Sequence, residues 1–174
     1  MITINTRVRP AALGDALQMT KLLNAVIAAG GTTAHQTPLV VDEMFSRYIR
    51  PENNISCHVA ISNGRLSGFQ SLVWADDAMP EGWAIIATFV AFDRVKMGIG
   101  QKLFSATRFA AKAGEVKTID ATIRADNVGG LKYYSGLGFT DYDVLKQIPL
   151  SDGTPVDRIR KRFDHSICIR VPRK

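Results

Sequence analysis

Two consecutive stretches decide the architecture: Trp83-Ala84-Ile85-Ile86-Ala87-Thr88-Phe89-Val90-Ala91-Phe92, and, three residues on, Lys96-Met97-Gly98-Ile99-Gly100-Gln101-Lys102. The first is nearly all apolar, which predicts a strand buried on both faces. The second puts two glycines where a helix opens, because Leu103, Phe104, Ala106, Phe109 and Ala110 then fit one helical face that closes at Ala113-Gly114. A strand, a glycine loop and a helix follow one another directly. Glycines let backbone N–H groups close around an anion, and the helix N-terminus adds roughly half a positive charge at the same point. The loop suits a phosphate, although it lacks both the third glycine of a dinucleotide loop and the G-K-[ST] of a nucleotide-triphosphate loop.

Upstream, residues 3–10 alternate like a strand, and Leu13, Leu17, Leu22 and Ile27 recur at helical spacing before the break at Gly30-Gly31. A polar loop to Pro38 leads into a short helix over 41–49 with Asp42-Glu43 in its first turn. Asn63-Gly64 joins two strands as a tight hairpin. Downstream, 116–124 reads as a strand and Asn127 caps a helix running to about Tyr134. Segments 139–150 and 155–165 flank Asp152-Gly153 as a last antiparallel hairpin. This order describes a mixed α/β sheet with helices on both faces.

At 174 residues, with 46% hydrophobic and 22% charged residues, the chain is sized for one domain, and its composition excludes a disordered or fibrous protein. No segment approaches a membrane span of about 18 apolar residues, and the N-terminus shows no secretory signal. Cys57 and Cys168 match no zinc spacing and read as thiols in a reducing cytoplasm. Val156 to Lys174 carries a net +5 of the chain's +6. Without an aromatic platform beside these charges, an edge strand explains them better than a nucleic-acid surface does.

The other pattern with chemical content is Asn127-x-x-Gly130-x-x-Tyr133-Tyr134-x-x-x-Gly138-Phe139. On a helix, Asn127, Gly130 and Tyr134 lie close at successive turns, so Gly130 leaves room for a slender ligand while Tyr134 presents a phenol. The order and separation of the two patterns resemble the GNAT superfamily of acetyl-CoA-dependent N-acetyltransferases over nearly the whole chain. The family loop R/Q-x-x-G-x-G/A is matched at Gly98 and Gly100, with Val95 at the R/Q position and Arg94 one residue early. The later family pattern, N-x-x-A-x-x-x-Y-x-x-x-G-F, is matched at Asn127, Tyr134, Gly138 and Phe139, with Gly130 in place of Ala. The short second helix and the hairpin resemble the phosphinothricin-acetyltransferase-like branch.

This resemblance implies a single acetyltransferase domain over 1–174 with a mostly antiparallel central sheet, and acetyl-CoA as acetyl donor. Phe89, Val90, Val95, Lys96, Met97, Gly98, Ile99, Gly100, Gln101, Lys102, Asn127, Gly130 and Tyr134 would bind the donor. It further implies that the strand around Thr88, Phe89 and Val90 splays from its neighbour and takes pantetheine as a substitute strand. The N–H near Val90 would then stabilise the oxyanion and Tyr134 would protonate the leaving thiolate, with no metal. Adjacent Tyr133 reads as a packing residue on another side of the helix. The acceptor would be a primary amine of a small molecule, between the loop 30–38 and the terminal hairpin. The central strand lacks the carboxylate that many members use as general base, which leaves Glu81, Asp76, Asp77, His35 and His58 as candidates. A non-catalytic acetyl-CoA-binding module and a basic nucleic-acid binder are the alternatives, and a homodimer through the terminal hairpin is compatible with the elements.

Overall fold

The computed structural model describes residues 5–165, and its spine is one seven-stranded sheet. Strands β1 (Thr6–Pro10), β2 (Asn54–Ser62), β3 (Arg65–Trp74), β4 (Trp83–Val90), β5 (Thr118–Arg124), β6 (Thr140–Pro149) and β7 (Pro155–Asp164) lie in the order β1-β2-β3-β4-β5-β7-β6. Every adjacent pair is antiparallel except β4 with β5. Four helices accompany the sheet: α1 (Ala16–Ala29), α2 (Val41–Met44, continued by a π-helical turn over Phe45–Ile49), α3 (Ile99–Ala113) and α4 (Val128–Gly136). Thr3 and Ile4 of the first expected strand, Cys168, and the basic residues Arg170, Arg173 and Lys174 lie outside the described residues.

Strand alternation sorts the core. Val59 of β2 and Phe69 of β3 pack with Met19, Leu23, Val26 and Ile27 of α1, whereas the next residue, Ala60, meets Ile99 and Leu103 of α3. Helices α1 and α2 therefore cover one face, and α3 with α4 covers the other. Asn63 and Gly64 both have positive φ, the two-residue turn whose twist suits the β2–β3 hairpin. Arg9 reaches from β1 to clasp the buried carboxylate of Asp15 at 2.7 and 2.8 Å, and Asp15 also accepts the Ala12 N–H, which fixes the entry into α1.

Three expectations from the sequence need correction. Phe109 is 80% exposed, because α3 buries Ile99, Leu103, Phe104, Thr107 and Ala111, and Phe109 stands five residues past Phe104, about 140° round the helix. Strand β7 is interior to the sheet, between β5 and β6, so its charges do not guard an edge. They are matched instead: Arg160 pairs with Asp120, Lys161 with Asp141 and Arg162 with Asp164.

The third correction concerns β4, whose C-terminal half, Ala87 to Val90, is only partly buried. Ala75 N bonds Trp83 O and Ala91 N bonds Ser67 O, so in the regular β3–β4 register the odd residues of β4 bond to β3 and the even ones turn toward β5. The β4–β5 ladder, however, runs only from Trp83 opposite Thr118 to Ile85 opposite Asp120. Beyond it the two strands part, and the backbone groups of Thr88 and Val90 face the gap.

Candidate functional site

A cleft of about 750 Å³ opens at that gap. One side is the exposed half of β4, Ala87 to Val90, and the opposite side is Thr122, Ile123 and Arg124 of β5. The α3 end is built by the loop before the helix. Lys96 and Gly98 both have positive φ (66° and 74°), and this alternation around Met97 curls successive N–H groups into an anion-binding concavity at the start of α3. Gly98 is the N-cap, and its carbonyl accepts the Lys102 N–H. Lys96 adopts the left-handed region despite its Cβ, a conformation that costs about 1 kcal/mol.

Two phenols meet above β4. Tyr134 is 6% exposed, and its Oη lies 2.9 Å from Thr88 Oγ1. Fully buried Gln70, which pairs with Thr88 across the β3–β4 ladder, donates from Nε2 to Thr88 Oγ1 at 2.8 Å and to Tyr133 Oη at 3.2 Å. Tyr133 in turn donates to the Gly100 carbonyl at 2.9 Å. Burial pushes Tyr133 up to about 12 and raises Tyr134 as well, so both phenols hold their protons at neutral pH. Since Gln70 donates to Thr88, the Thr88 hydroxyl proton is available to Tyr134 Oη, which leaves the Tyr134 proton for another acceptor.

The far wall is the loop between α1 and α2. Arg124 Nη1 donates to Thr33 O at 3.1 Å and Asn127 Nδ2 to Thr32 O at 3.0 Å, so the corner between β5 and α4 holds this loop over the cleft. His35 Nε2 and Tyr48 Oη are 2.6 Å apart, and the Tyr48 ring stands edge-on to Phe69 and Phe89. Burial, then the nearby Arg47, lowers the His35 pKa below its ordinary 6.5, so the ring is neutral at pH 7. Desolvation pushes Tyr48 up to about 12.

Of the residues singled out in the sequence, Phe89, Val90, Val95, Lys96, Gly98, Ile99, Gly100, Gln101, Asn127, Gly130 and Tyr134 line the cleft, while Met97 and Lys102 do not. Two glycines act differently from expectation. A Cβ on Gly100 would sit 2.5 Å from the Tyr133 ring, and one on Gly130 would sit 2.6 Å from Asn127 Nδ2. Gly100 thus seats a tyrosine, and the space beside Gly130 is filled by the capping Asn127, whose Oδ1 accepts the Gly130 N–H. Tyr133 is likewise no mere packing residue, since its hydroxyl joins the same polar cluster as Tyr134. Among the base candidates only His35 lines the cleft; Asp76, Asp77 and Glu81 sit in the β3–β4 loop at the opposite end of that ladder, and His58 lies on β2. Gln70, Arg124 and Arg158 were not legible as site residues, and Thr88 was expected only through its backbone, not through its hydroxyl. Gln70 alone left a trace, as the one large polar side chain inside an apolar strand.

Among the described residues no helix is long and apolar enough to cross a membrane, and no group of His, Cys, Asp and Glu is placed to hold a metal. No curated protein matches the chain in sequence. Solved structures match it in shape. An N-acetyltransferase from Staphylococcus aureus Mu50 superposes with a TM-score of 0.80 at 20% identity, over 92% of this chain and 98% of that one. A GNAT superfamily phosphinothricin acetyltransferase from Sinorhizobium meliloti, solved in complex with acetyl-CoA, gives 0.80 at 18% identity over 91% and 88%. A ribosomal-protein-alanine N-acetyltransferase from Brucella melitensis gives 0.78 at 18% over 91% and 99%. At such identities they establish the fold and leave the acceptor open. The model of the acetyltransferase (GNAT) family matches residues 20–139, more than half of the sequence, and the chain belongs to that family.

Proposed function

We propose that the protein is a single acetyltransferase domain that moves the acetyl group of acetyl-CoA to a primary amine of a small molecule by direct attack in a ternary complex. The observation that carries this reading is the meeting, in one cleft, of the free edge of β4, the anion-binding loop before α3 and the Tyr134 phenol. The loop and the α3 N-terminus take the pyrophosphate of the donor. The free edge of β4 takes the pantetheine arm as a substitute strand, which sets the thioester carbonyl against the Val90 N–H. As the amine nitrogen bonds to the carbonyl carbon, Val90 stabilises the oxyanion. When the carbon–sulfur bond breaks, Tyr134 gives its proton to the thiolate and recovers hydrogen bonding from Thr88, which Gln70 holds in place.

The amine must also lose a proton. Among the described residues no carboxylate lines the cleft, and His35 is the one lining group that is neutral at pH 7 and ready to accept a proton. In the tautomer whose Nε2–H donates to Tyr48 Oη, Nδ1 keeps its lone pair and takes up the proton of the amine, giving an imidazolium that returns it to solvent. The test is thiol release from acetyl-CoA across an amine panel. Amine-dependent release that fails in Tyr134→Phe supports the reading, whereas tight acetyl-CoA binding with no amine-dependent release would make the protein a binding module.

A further inference from the structure

The cleft is lined by five cationic side chains, Arg94, Lys96, Arg124, Lys132 and Arg158, and by no carboxylate among the described residues. They divide into two groups. Arg94 and Lys96 belong to the loop before α3 and Lys132 to α4, beside the anion-binding turn. Arg124 and Arg158 are directly opposed across the β5–β7 ladder, which puts both side chains on one face of the sheet, beneath the loop that carries His35.

These two arginines are in different states. Arg124 has its donors occupied, with Nε and Nη2 on Asp126 at 2.9 and 2.6 Å and Nη1 on Thr33 O. Arg158 has no ion pair or hydrogen bond among the described residues, and its Nε is buried without a partner. This contrasts with the next three basic residues of β7, Arg160, Lys161 and Arg162, each of which is paired with an aspartate. The carboxylates nearest the rim are also engaged, Asp126 with Arg124 and Asp152 with the Thr154 N–H. A guanidinium that lines a cleft and that the described residues leave without any partner is matched by a planar oxyanion that accepts two of its N–H groups at once.

We infer that Arg158 holds a compact oxyanion on the acceptor, so the substrate is an amine that also carries a carboxylate or a similar acidic group. This rests on the acetyl-transfer reading above. Polyamines, aminoglycosides and lysine-rich peptides would bring positive charge into a cleft that is already cationic, and they are poor acceptors.

The test compares turnover of α-amino and ω-amino acids with that of their amides, their decarboxylated amines and the corresponding aminoalkylphosphonates. In the wild type, kcat/KM for the best amino acid should exceed that of its decarboxylated partner by about 100-fold, because an acceptor lacking the anion leaves the guanidinium unmet. Arg158→Met should erase that ratio while the KM for acetyl-CoA stays within about twofold, and Arg158→Lys should keep part of it. The phosphonates show whether the site takes a planar carboxylate or a tetrahedral oxyanion. Should Arg158→Met not fold, the Lys variant carries the comparison. Equal or faster turnover of the decarboxylated amines overturns the inference, and so does failure of every anionic amine. A rise in acetyl-CoA KM in Arg158→Met overturns it as well, by assigning the guanidinium to the donor's phosphates. Acetylation confined to neutral or cationic amines would sink only this inference, whereas absence of acetyl-CoA binding would sink the acetyl-transfer reading itself.

Discussion

At the scale of single residues, adjacent tyrosines have separable tasks. In the proposed reaction Tyr134 gives up its proton and Thr88 replaces the hydrogen bond that is lost, whereas Tyr133 donates to the Gly100 carbonyl. Tyr134→Phe should therefore lower kcat by about 10²- to 10⁴-fold with little change in the KM for acetyl-CoA, the usual span for a lost general acid. Tyr133→Phe should act mainly on stability and on the seating of α3, which steady-state kinetics and a melting curve will distinguish. Glycine substitutions at the loop separate in the same way. Gly98→Val forces a β-branched residue into the left-handed region inside the concavity, so acetyl-CoA affinity should fall at least tenfold, about 1.4 kcal/mol. Gly100→Ala has a different cause, a methyl group driven into the Tyr133 ring, so its melting temperature should fall along with its affinity. Binding isotherms beside melting curves would show whether the two glycines are as distinct as the geometry makes them.

At the scale of elements, what the sequence disclosed and what it withheld follow from the range of the interactions. Strand β4, the glycine loop, α3 and the Asn127 cap are local, and periodicity with turn chemistry found them within a few residues. The free edge of β4 is not local, and only the family resemblance, not the residues themselves, implies a splay around Thr88, Phe89 and Val90. It depends on how far the β4–β5 ladder runs, and neither strand announces that its pairing stops at Ile85 opposite Asp120. The Gln70–Thr88–Tyr134 chain was hidden for the same reason, since residues 18 and 46 positions apart become neighbours only through register and helix packing. Phe109 shows the reverse error, in which an apolar residue at near-helical spacing was read into the core and stands in solvent. Gln70 gives a prediction at this level. Gln70→Leu keeps the volume of a fully buried position but frees the Thr88 hydroxyl, so kcat should fall while the KM for acetyl-CoA holds. A Gln70→Leu enzyme with wild-type kcat would show that the Thr88–Tyr134 bond needs no support from β3.

At the scale of the whole molecule, acid stability and catalytic pH dependence arise in different places and can be read apart. Asp15 is held below its usual pKa, first by its hydrogen bonds with Arg9, and a carboxylate with a lowered folded pKa stabilises above its unfolded value and stops doing so as pH falls through the folded one. Its contribution is therefore complete at neutral pH and is lost only in the acid range below about 3.9. Asp15→Asn should lower stability at pH 7 by about 1–3 kcal/mol and flatten the acid limb of the stability curve, as denaturant titrations at several pH values would register. Partly buried His35, His58 and His165, whose pKa values are lowered first by desolvation, also make stability fall as pH drops below about 6.5. A change in kcat/KM between pH 5 and 9 therefore reports the site only where a denaturation curve at the same pH shows the protein folded. His35 has its pKa lowered, hence it is neutral and competent at pH 7 and loses competence as pH falls through a value below 6.5. An acceptor with an α-amino group near 8 must also be neutral to attack. Log kcat/KM should thus rise with pH with a slope of about one between roughly 6.5 and 8, and with a slope of about two below the His35 pKa, where both groups must shed protons. His35→Asn should lower the plateau and leave a slope of about one throughout, while Glu81→Gln, at the far end of the sheet, should leave the profile unchanged. A slope of one down to pH 5 in the wild type would mean that the amine arrives already deprotonated and that His35 only shapes the wall of the cleft.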